Sequence, residues 1–239
     1  MNLVIDIGNT QLKVALFDGQ RLVEHKVYKT VKQFVSDHAF IANSDSAILS
    51  SVVSSNSEIL NSISGFKHVI EFSSQTPVPV NNLYKSAQTL GSDRLAAAVG
   101  AFSIYPFKNI LVIDAGTCIK FNFTNKNNEY LGGAISPGIQ MRLKALEHFT
   151  DKLPLVKFNP EFDKLIGNTT EESILSGVVN GVLKETDGII EEYKKLYPDL
   201  TIVVTGGDCD FFAKRLKNRI FAHPHLILNG LNEILIYNT

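Results

Sequence analysis

The sequence predicts an α/β protein built from two duplicated halves, each with a mixed five-stranded sheet flanked by helices, and an active-site cleft between the halves. Three observations predict this fold class. A short segment near the N-terminus recurs in the second half of the chain. In both halves the recurring segment opens a meander of strands, and helices then alternate with strands.

The repeat joins residues 3–13, LVIDIGNTQLK, to residues 111–120, LVIDAGTCIK, with one residue deleted. Leu-Val-Ile-Asp recurs unchanged, and three later residues match: Gly8 with Gly116, Thr10 with Thr117, and Lys13 with Lys120. Seven identities over two strand-turn-strand segments make chance the minor explanation. We therefore predict that residues 1–108 and 109–239 are related halves.

Apolar runs separated by turn residues define the elements of the first half. The predicted strands are 3–7, 12–17, 21–27, 47–53 and 68–72, with a helix at 31–40 and a short one after Asn56. Pro77 and Pro79 indicate an extended link, and residues 86–105 are predicted to form a helix that joins the halves.

The second half follows the same plan of three strands and then alternating helices and strands. Its predicted strands are 110–115, 119–124, 130–136, 201–205 and 219–222. Its predicted helices are 140–149, 171–196, 211–217 and a closing helix from His225.

Composition narrows the classes of function. The 239 residues are 44% hydrophobic, and 23 basic residues nearly balance 24 acidic ones, which argues against a basic nucleic-acid surface. No apolar run approaches the roughly 20 residues of a membrane span, and the N-terminus lacks signal-peptide features. Cys118 and Cys209 are too few for a disulfide framework. We expect a soluble cytoplasmic protein without nucleic-acid or membrane partners.

The repeated hairpins carry residues suited to phosphate chemistry. A glycine turn lets backbone N–H groups approach a phosphate, and the hydroxyls of Thr10 and Thr117 can donate to the same oxygens. Lys13 adds a positive charge, while Asp6 and Asp114 can hold a cation. One such aspartate alone is as readily a turn cap, but the second copy favours phosphoryl transfer.

Two such hairpins on duplicated ribonuclease-H-like halves resemble the superfamily of actin, heat-shock chaperones and sugar kinases. Within it, the sequence resembles the type III pantothenate kinase family along nearly its whole length. The matching stretches are DIGNTQLK (6–13), GSDR (91–94), DAGT (114–117), GGAISPG (132–138), GNTTEESILSG (167–177) and VTGGD (204–208). Each is weak alone, but their shared order and spacing are specific.

The resemblance implies ATP-dependent phosphorylation of pantothenate to 4'-phosphopantothenate, the first step of coenzyme A biosynthesis. It implies that Asp93 is the catalytic base. The implied ATP site consists of Asp6, Ile7, Gly8, Asn9, Thr10, Gln11, Leu12, Lys13 and Thr117. The implied pantothenate site consists of Tyr84, Gly91, Ser92, Asp93, Arg94 and Thr170, with Thr169 as the alternative to Thr170.

The resemblance also implies cofactors and a partner subunit. Mg²⁺ is expected near Asp6, bridging the phosphates, and a monovalent cation, K⁺ or NH₄⁺, at Asp114. A homodimer with active sites at its interface is expected, because the family's threonine reaches pantothenate bound in the partner subunit. The wider superfamily places a double glycine such as that of VTGGD beside adenosine, and GGAISPG is expected to bring backbone close to the phosphates.

Local patterns suggest structural alternatives for several of these residues. Ser92 is expected to cap a helix, and Asp93 and Arg94 are as readily water-exposed charges at its start. Thr169 or Thr170 is expected to cap the next long helix, with a capping-box residue about three positions later. Arg142 either faces the cleft or binds solvent, and it is left outside the predicted site.

The second hairpin departs from the family pattern Asp-x-Gly-Thr-x-x-Thr-x-Asp. Lys120 and Asn122 stand where the pattern has its last threonine and aspartate. Because a lysine ammonium is itself a fixed monovalent cation, we hypothesise that Lys120 partly or wholly replaces the bound ion, or weakens its binding.

Two other functions stay open from the sequence. One is a kinase of the same fold for another small alcohol, because a fold does not determine a substrate. The other is a non-catalytic nucleotide-binding regulator, although the presence of Asp6, Asp93 and Asp114 favours catalysis. Incubation with ATP and pantothenate, followed by measurement of the product mass, distinguishes pantothenate kinase from these two alternatives.

Overall fold

The computed structural model describes residues 1–8, 11–51 and 57–239. The chain divides into two compact units. Unit 1 consists of Met1–Phe107, Thr124–Leu131 and His225–Thr239, and unit 2 of Lys108–Phe123 and Gly132–Pro224. Two segments of the predicted half 109–239, Thr124–Leu131 and His225–Thr239, thus lie in unit 1.

The strands follow the predicted runs closely. They are β1 Asn2–Ile7, β2 Leu12–Asp18, β3 Arg21–Tyr28, β4 Ser46–Ser51, β5 His68–Glu71, β6 Asn81–Asn82, β7 Ile110–Ala115, β8 Cys118–Thr124, β9 Glu129–Pro137, β10 Thr201–Thr205 and β11 Phe221–Ala222. The predicted strand 47–53 extends to Val52 and Val53, which lie outside the described residues, as does Asn56 before the next helix.

The helices occupy the segments between these strands. They are α1 Val31–Val35, α2 His38–Ile41, α3 Ser57–Ser62, α4 Ser92–Ile104, α5 Ile139–His148, α6 Thr170–Leu196, α7 Cys209–Arg215 and α8 Leu226–Tyr237. No helix in the described ranges is long and apolar enough to cross a membrane.

The order of strands is the same in the two sheets. The first sheet runs β5-β4-β1-β2-β3, and the second runs β11-β10-β7-β8-β9 and then β6. β1 is antiparallel to β2 and parallel to β4, so the first sheet is mixed. The mixed-sheet, duplicated fold class is thereby confirmed. The second sheet has six strands where five were predicted, because Asn81–Asn82, in the expected extended link, pairs with Glu129–Tyr130.

Helices cover both faces of the first sheet, because β1 is apolar on both sides. Leu3 and Ile5 pack in one buried cluster with residues of α1, α2 and α3. Val4 packs in a second cluster with residues of α4 and α8. A central strand buried on both faces reads as a continuous apolar run, which is what the sequence shows.

Small residues bring α4 and α8 together within unit 1. A β-carbon on Gly230 would lie 1.9 Å from the carbonyl oxygen of Ala96, and one on Gly100 would lie 2.4 Å from that of Leu226. Side chains larger than hydrogen are therefore excluded at both glycines. Ala96 is part of this close packing, which ties the closing helix to unit 1.

The predicted helix 31–40 is wrong, since α1 and α2 are separate helices. Asp37 is the N-cap of α2, and its Oδ1 accepts from the backbone N–H of Phe40 at 3.2 Å. Its Oδ2 accepts from Lys26 Nζ at 2.8 Å and from the Tyr28 hydroxyl at 2.9 Å. The bond from Lys26 holds the pKa of Asp37 below its ordinary value. A carboxylate held by β3 in this way starts a new helix.

The predicted helix 86–105 is also shorter than expected. A 3₁₀ turn, Ala87–Thr89, precedes it, and Leu90 and Gly91 have extended ψ angles of 125° and 131°. Because these residues are not helical, α4 begins at Ser92. The GSDR stretch consequently lies at the N-terminus of a helix.

Candidate active site

The first hairpin joins β1 to β2 at the edge of the predicted ATP site. Asp6 pairs with Lys13 across the two strands, and the Gly8 N–H donates to the Gln11 carbonyl at 3.1 Å to close the turn. Asn9 and Thr10 lie outside the described residues. The predicted Asp6 and Lys13 are therefore directly opposite each other in register.

Ile7 and Leu12 of this hairpin point into the apolar core. Their side chains are 6% and 3% exposed and belong to the apolar core of unit 1. Contact with a nucleotide at these two positions is therefore left to the backbone.

Basic groups lie beside this hairpin. The rings of His25 and His225 are in contact, with centroids 4.3 Å apart and planes tilted by 51°. Burial lowers the pKa of His225, and the charges of His25 and Lys13 lower it further. The charge of Lys13 therefore reaches the neighbouring histidine, and a positive charge at this hairpin suits an anionic ligand.

The second hairpin joins β7 to β8 and is braced by the GGAISPG stretch within unit 2. The Gly116 N–H donates to the Cys118 carbonyl at 3.0 Å, and the Gly138 N–H donates to the Thr117 carbonyl at 3.0 Å. A β-carbon on Gly138 would lie 2.0 Å from the Gly116 carbonyl oxygen. Only glycine therefore permits this close contact at position 138.

Asp114, the predicted cation ligand, is engaged by a residue of its own hairpin. Lys120 Nζ donates to Asp114 Oδ2 at 2.8 Å. The other carboxylate oxygen, Asp114 Oδ1, lies close to Gly206, where an added β-carbon would be only 2.7 Å from it. The carboxylate already holds one cationic group, so the residues present do not fit a further cation there.

The GSDR stretch lies at the start of α4, and the expectation that Ser92 caps this helix is wrong. Gly91 is the N-cap, and Ser92 is the first helical residue. The Ser92 hydroxyl lies 3.0 Å from that of Ser50, at the end of β4, so it is committed to a strand and not to the helix backbone. Asp93 Oδ1 accepts from the Arg94 N–H at 2.8 Å.

Tyr84 and Arg94 come together in the same part of unit 1. The Arg94 guanidinium lies 5.4 Å from the centroid of the Tyr84 ring. The centroids of the Tyr84 and Tyr130 rings are 6.2 Å apart. Arg94 is only 5% exposed, which contradicts the alternative that it is a water-exposed helix-start charge. Tyr84 and the GSDR stretch thus form one cluster around the start of α4.

The two candidate threonines at the start of α6 have different surroundings. Thr169 is the N-cap, and its Oγ1 accepts from the Glu172 N–H at 3.2 Å. Glu172 Oε2 accepts in turn from the Asn168 N–H at 3.1 Å. Thr170 instead lines a cavity of about 710 Å³ between α5 and α6, together with Phe149 and apolar residues of both helices. Capping therefore occupies Thr169 and not Thr170.

The VTGGD stretch connects β10 to α7. Gly206 has a φ of +94°, and a β-carbon there would lie 2.2 Å from the Ala115 carbonyl oxygen. The Asp208 N–H donates to that same carbonyl at 3.0 Å, and burial raises the pKa of the Asp208 carboxyl. The glycine is therefore required by both its conformation and its contact with β7.

Sequence reasoning left out three residues that the structure brings to the predicted site. Ser50 and Tyr130 contact Ser92 and Tyr84. A serine directly after an apolar run was the available signal for Ser50. No local pattern distinguishes Tyr130 from an ordinary strand residue.

Arg142, the third, is not a solvent-facing residue. Its Nε donates to the Pro137 carbonyl at 2.8 Å, and Nη2 donates to Ser136 Oγ at 2.8 Å and to Glu185 Oε2 at 2.7 Å. It thereby ties α6 to the stretch that ends in Gly138. The sequence carries no signal for this contact, because Arg142 and Glu185 are 43 positions apart.

Metal binding by protein groups alone is not supported in the part of the chain that the structure describes, where no three His, Cys, Asp or Glu side chains form a ligand group. Mg²⁺ commonly binds through one or two carboxylates, substrate phosphates and water. A single carboxylate, Asp6, beside a glycine turn fits that mode of binding.

Comparisons with known proteins agree on one family. The family model described as type III pantothenate kinase matches residues 2–192. A type III pantothenate kinase of Christiangramia forsetii is 44% identical over 242 residues, covering 100% of this chain and 99% of that protein. One from Bacteroides fragilis is 46% identical over 241 residues, covering 100% and 98%.

Solved structures support the fold alone. A Campylobacter jejuni protein described as a Baf family transcriptional activator has a TM-score of 0.66 at 23% identity, with 99% of this chain and 98% of that chain covered. An inorganic polyphosphate/ATP-glucomannokinase from Arthrobacter has a TM-score of 0.51 at 14% identity, with 99% and 98% covered. With the sequence matches across its length, this chain belongs to the type III pantothenate kinase family.

Proposed function

We infer that the chain is an ATP-dependent pantothenate kinase that makes 4'-phosphopantothenate in the first step of coenzyme A biosynthesis. The observation that carries this inference is the match to relatives of that name over the whole chain, at 44% and 46% identity. The matched region of this chain includes the predicted functional stretches DIGNTQLK, GSDR and DAGT.

Asp93 is the proposed catalytic base. As the oxygen of the pantothenate hydroxyl bonds to the γ-phosphorus, the bond from that phosphorus to ADP breaks and the hydroxyl proton passes to the Asp93 carboxylate. Support comes from its position in the first turn of α4, next to the buried Arg94. Tyr84, Gly91, Ser92 and Arg94 form the proposed walls of the pantothenate site.

The first hairpin and Thr117 are the proposed binding site for the ATP phosphates. Backbone N–H groups of the Gly8 turn and the charge of Lys13 suit the phosphate oxygens. Asp6 would hold Mg²⁺, and the ion would supply neutralisation of the phosphate charge. Gly206 and Gly207 are the proposed neighbours of the adenosine.

A homodimer is the proposed assembly, with Thr170 reaching pantothenate bound in the other subunit. Support comes from exposed apolar side chains of unit 2. Phe149, which lines the same cavity as Thr170, is 81% exposed, and Leu165 and Ile166, which precede α6 in the sequence, are 77% and 81% exposed. Apolar exposure on this scale is typical of a protein interface, and a second copy is the partner that the family implies.

A direct assay tests the proposed reaction. The purified protein is incubated with ATP, Mg²⁺ and pantothenate, and the product is identified by mass spectrometry. We expect pantothenate to gain one phosphoryl group, and we expect much lower ATP consumption with a panel of sugars and small alcohols. Phosphorylation of another alcohol in preference to pantothenate would overturn the assigned substrate. We propose that the reaction takes place in the cytoplasm, and growth rescue of a bacterium deficient in pantothenate kinase, with the chain expressed in its cytoplasm, tests whether the chain is active there.

A further inference from the structure

We propose that Lys120 is a built-in monovalent cation that neutralises Asp114 and makes a bound K⁺ or NH₄⁺ unnecessary. The proposal rests on the proposed kinase function, since it concerns the hairpin assigned to the ATP phosphates. The family resemblance implies a monovalent cation at Asp114, but Lys120 already pairs with that carboxylate.

Asp114 needs a positive partner. Its residue is only 6% exposed, and it lies on β7 just before the turn that carries Thr117. An ionised carboxylate removed from water is costly unless it is paired. Unpaired, it would also repel the phosphates that the neighbouring turn is proposed to bind. A cation at this position therefore serves both the fold and the ligand.

Lys120 supplies that cation from within the chain. The 2.8 Å distance from its Nζ to Asp114 Oδ2 is that of a charge-assisted hydrogen bond. The Lys120 and Asp114 side chains are 22% and 9% exposed, so salt in solution screens the pair only weakly. β8 holds Lys120 beside Asp114 whether or not salt is present.

A second cation at the same carboxylate is disfavoured. Gly206 closes one side of Oδ1, and the ammonium occupies Oδ2. The ammonium repels a further cation at this carboxylate about as strongly as the carboxylate attracts it, so the Lys120–Asp114 pair offers a second monovalent cation little net attraction. The kinase is therefore indifferent to the identity of the monovalent cation in solution.

Salt substitution tests the proposal on the wild-type protein. Initial rates are measured in the chlorides of potassium, sodium and tetramethylammonium at one ionic strength, with Mg²⁺ fixed and ATP as its tetramethylammonium salt. We expect the three wild-type rates to agree within about threefold, because the required charge is part of the chain. A larger stimulation by potassium would overturn the proposal.

The variant Lys120→Thr restores the family residue and removes the built-in charge. Its rate in tetramethylammonium should fall at least about tenfold, and potassium should recover most of that loss. A purely structural ion pair predicts no such recovery. The matched control Lys157→Thr changes an exposed lysine between α5 and α6 and should behave as wild type in every salt. A Lys120→Thr variant as salt-indifferent as wild type would refute the proposal.

ATP affinity, measured by calorimetry in the same salts, separates this proposal from the proposed reaction. Potassium should tighten ATP binding by Lys120→Thr and leave that of the wild type unchanged. If this pattern holds while pantothenate is not phosphorylated, the built-in cation stands and the substrate assignment fails. If Lys120→Thr is unfolded by circular dichroism, the wild-type affinities decide, and potassium dependence overturns the proposal.

Discussion

At the scale of single residues, the chain uses local backbone geometry to present a small number of polar groups. Asp93 lies in the first turn of α4, directly after the non-helical Gly91. A β-carbon at Gly91 would lie 2.7 Å from Asp93 Oδ1, so the glycine leaves room for the carboxylate. Neighbouring Arg94 is buried against Tyr84. The helix start therefore leaves Asp93 partly exposed, beside a buried arginine and a tyrosine ring.

The substitution Asp93→Asn tests the catalytic base. The amide keeps the size of the side chain but cannot accept the proton, so kcat should fall about 10²- to 10⁴-fold. KM for pantothenate should change by less than about threefold. Steady-state kinetics give both values, and thermal melting checks the fold. Asp18→Asn, at an exposed residue that ends β2, is the matched control and should keep the wild-type kcat. A near-wild-type kcat in Asp93→Asn would remove this residue from the mechanism.

At the scale of elements, the start of α6 separates a structural threonine from a candidate substrate ligand. Thr169 satisfies the helix N-terminus through Glu172, whereas Thr170 faces the cavity beside α5. Sequence pattern alone left the two interchangeable, because either one followed by a polar residue about three positions later resembles a capping box.

Paired substitutions to valine test this assignment, since valine has the shape of threonine without its hydroxyl. Thr169→Val should lower the free energy of unfolding by about 1 kcal/mol and leave KM for pantothenate unchanged. Thr170→Val should leave stability within about 0.5 kcal/mol and raise KM by up to about tenfold. Urea unfolding and steady-state kinetics measure the two effects. The opposite pattern would assign the substrate contact to Thr169.

The repeated hairpins are the other elements that define the site. In the first, Asp6 and Lys13 are register partners, and in the second, Asp114 and Lys120 form an ion pair. In the second hairpin the Thr117 carbonyl also accepts a hydrogen bond from the Gly138 N–H. Arg142 ties the residues before Gly138 to α6. The duplication is therefore one of strand order and motif, and each copy has its own set of supporting contacts.

At the scale of the whole molecule, exposed apolar side chains of unit 2 predict a dimer. The substitution Phe149→Glu places a charge in the cavity lined by α5 and α6, so association should lose apolar contact and become unfavourable. We expect the wild type to sediment as a dimer and the variant as a monomer. The variant should also lose most activity if each site needs Thr170 from the other subunit.

The matched control is Phe107→Glu, because Phe107 of unit 1 is also exposed, at 76%. It should stay dimeric and active. A monomeric wild type, or a dimeric Phe149→Glu variant, would contradict the assembly. Sedimentation velocity at several concentrations distinguishes these outcomes.

The sequence by itself determined the fold class and nearly every strand, because period-two and apolar runs are local and the repeat at Asp6 and Asp114 marks both hairpins. It missed the break at Asp37, where a carboxylate held by residues of β3 overrides helix propensity. The family stretches also indicated which residues to examine for chemistry.

Only the tertiary structure decided which of these residues meet. Ser50 reaches Ser92 across 42 positions, and Arg142 reaches Glu185 across 43. Close packing on α4 assigns the closing helix to unit 1. Whether Lys120 merely repeats Lys13 or holds Asp114 depends on the distance between the Lys120 ammonium and the Asp114 carboxylate. A pattern of residue types does not give that distance. Such contacts follow from how distant segments pack, whereas sequence periodicity reports only which face of an element is buried.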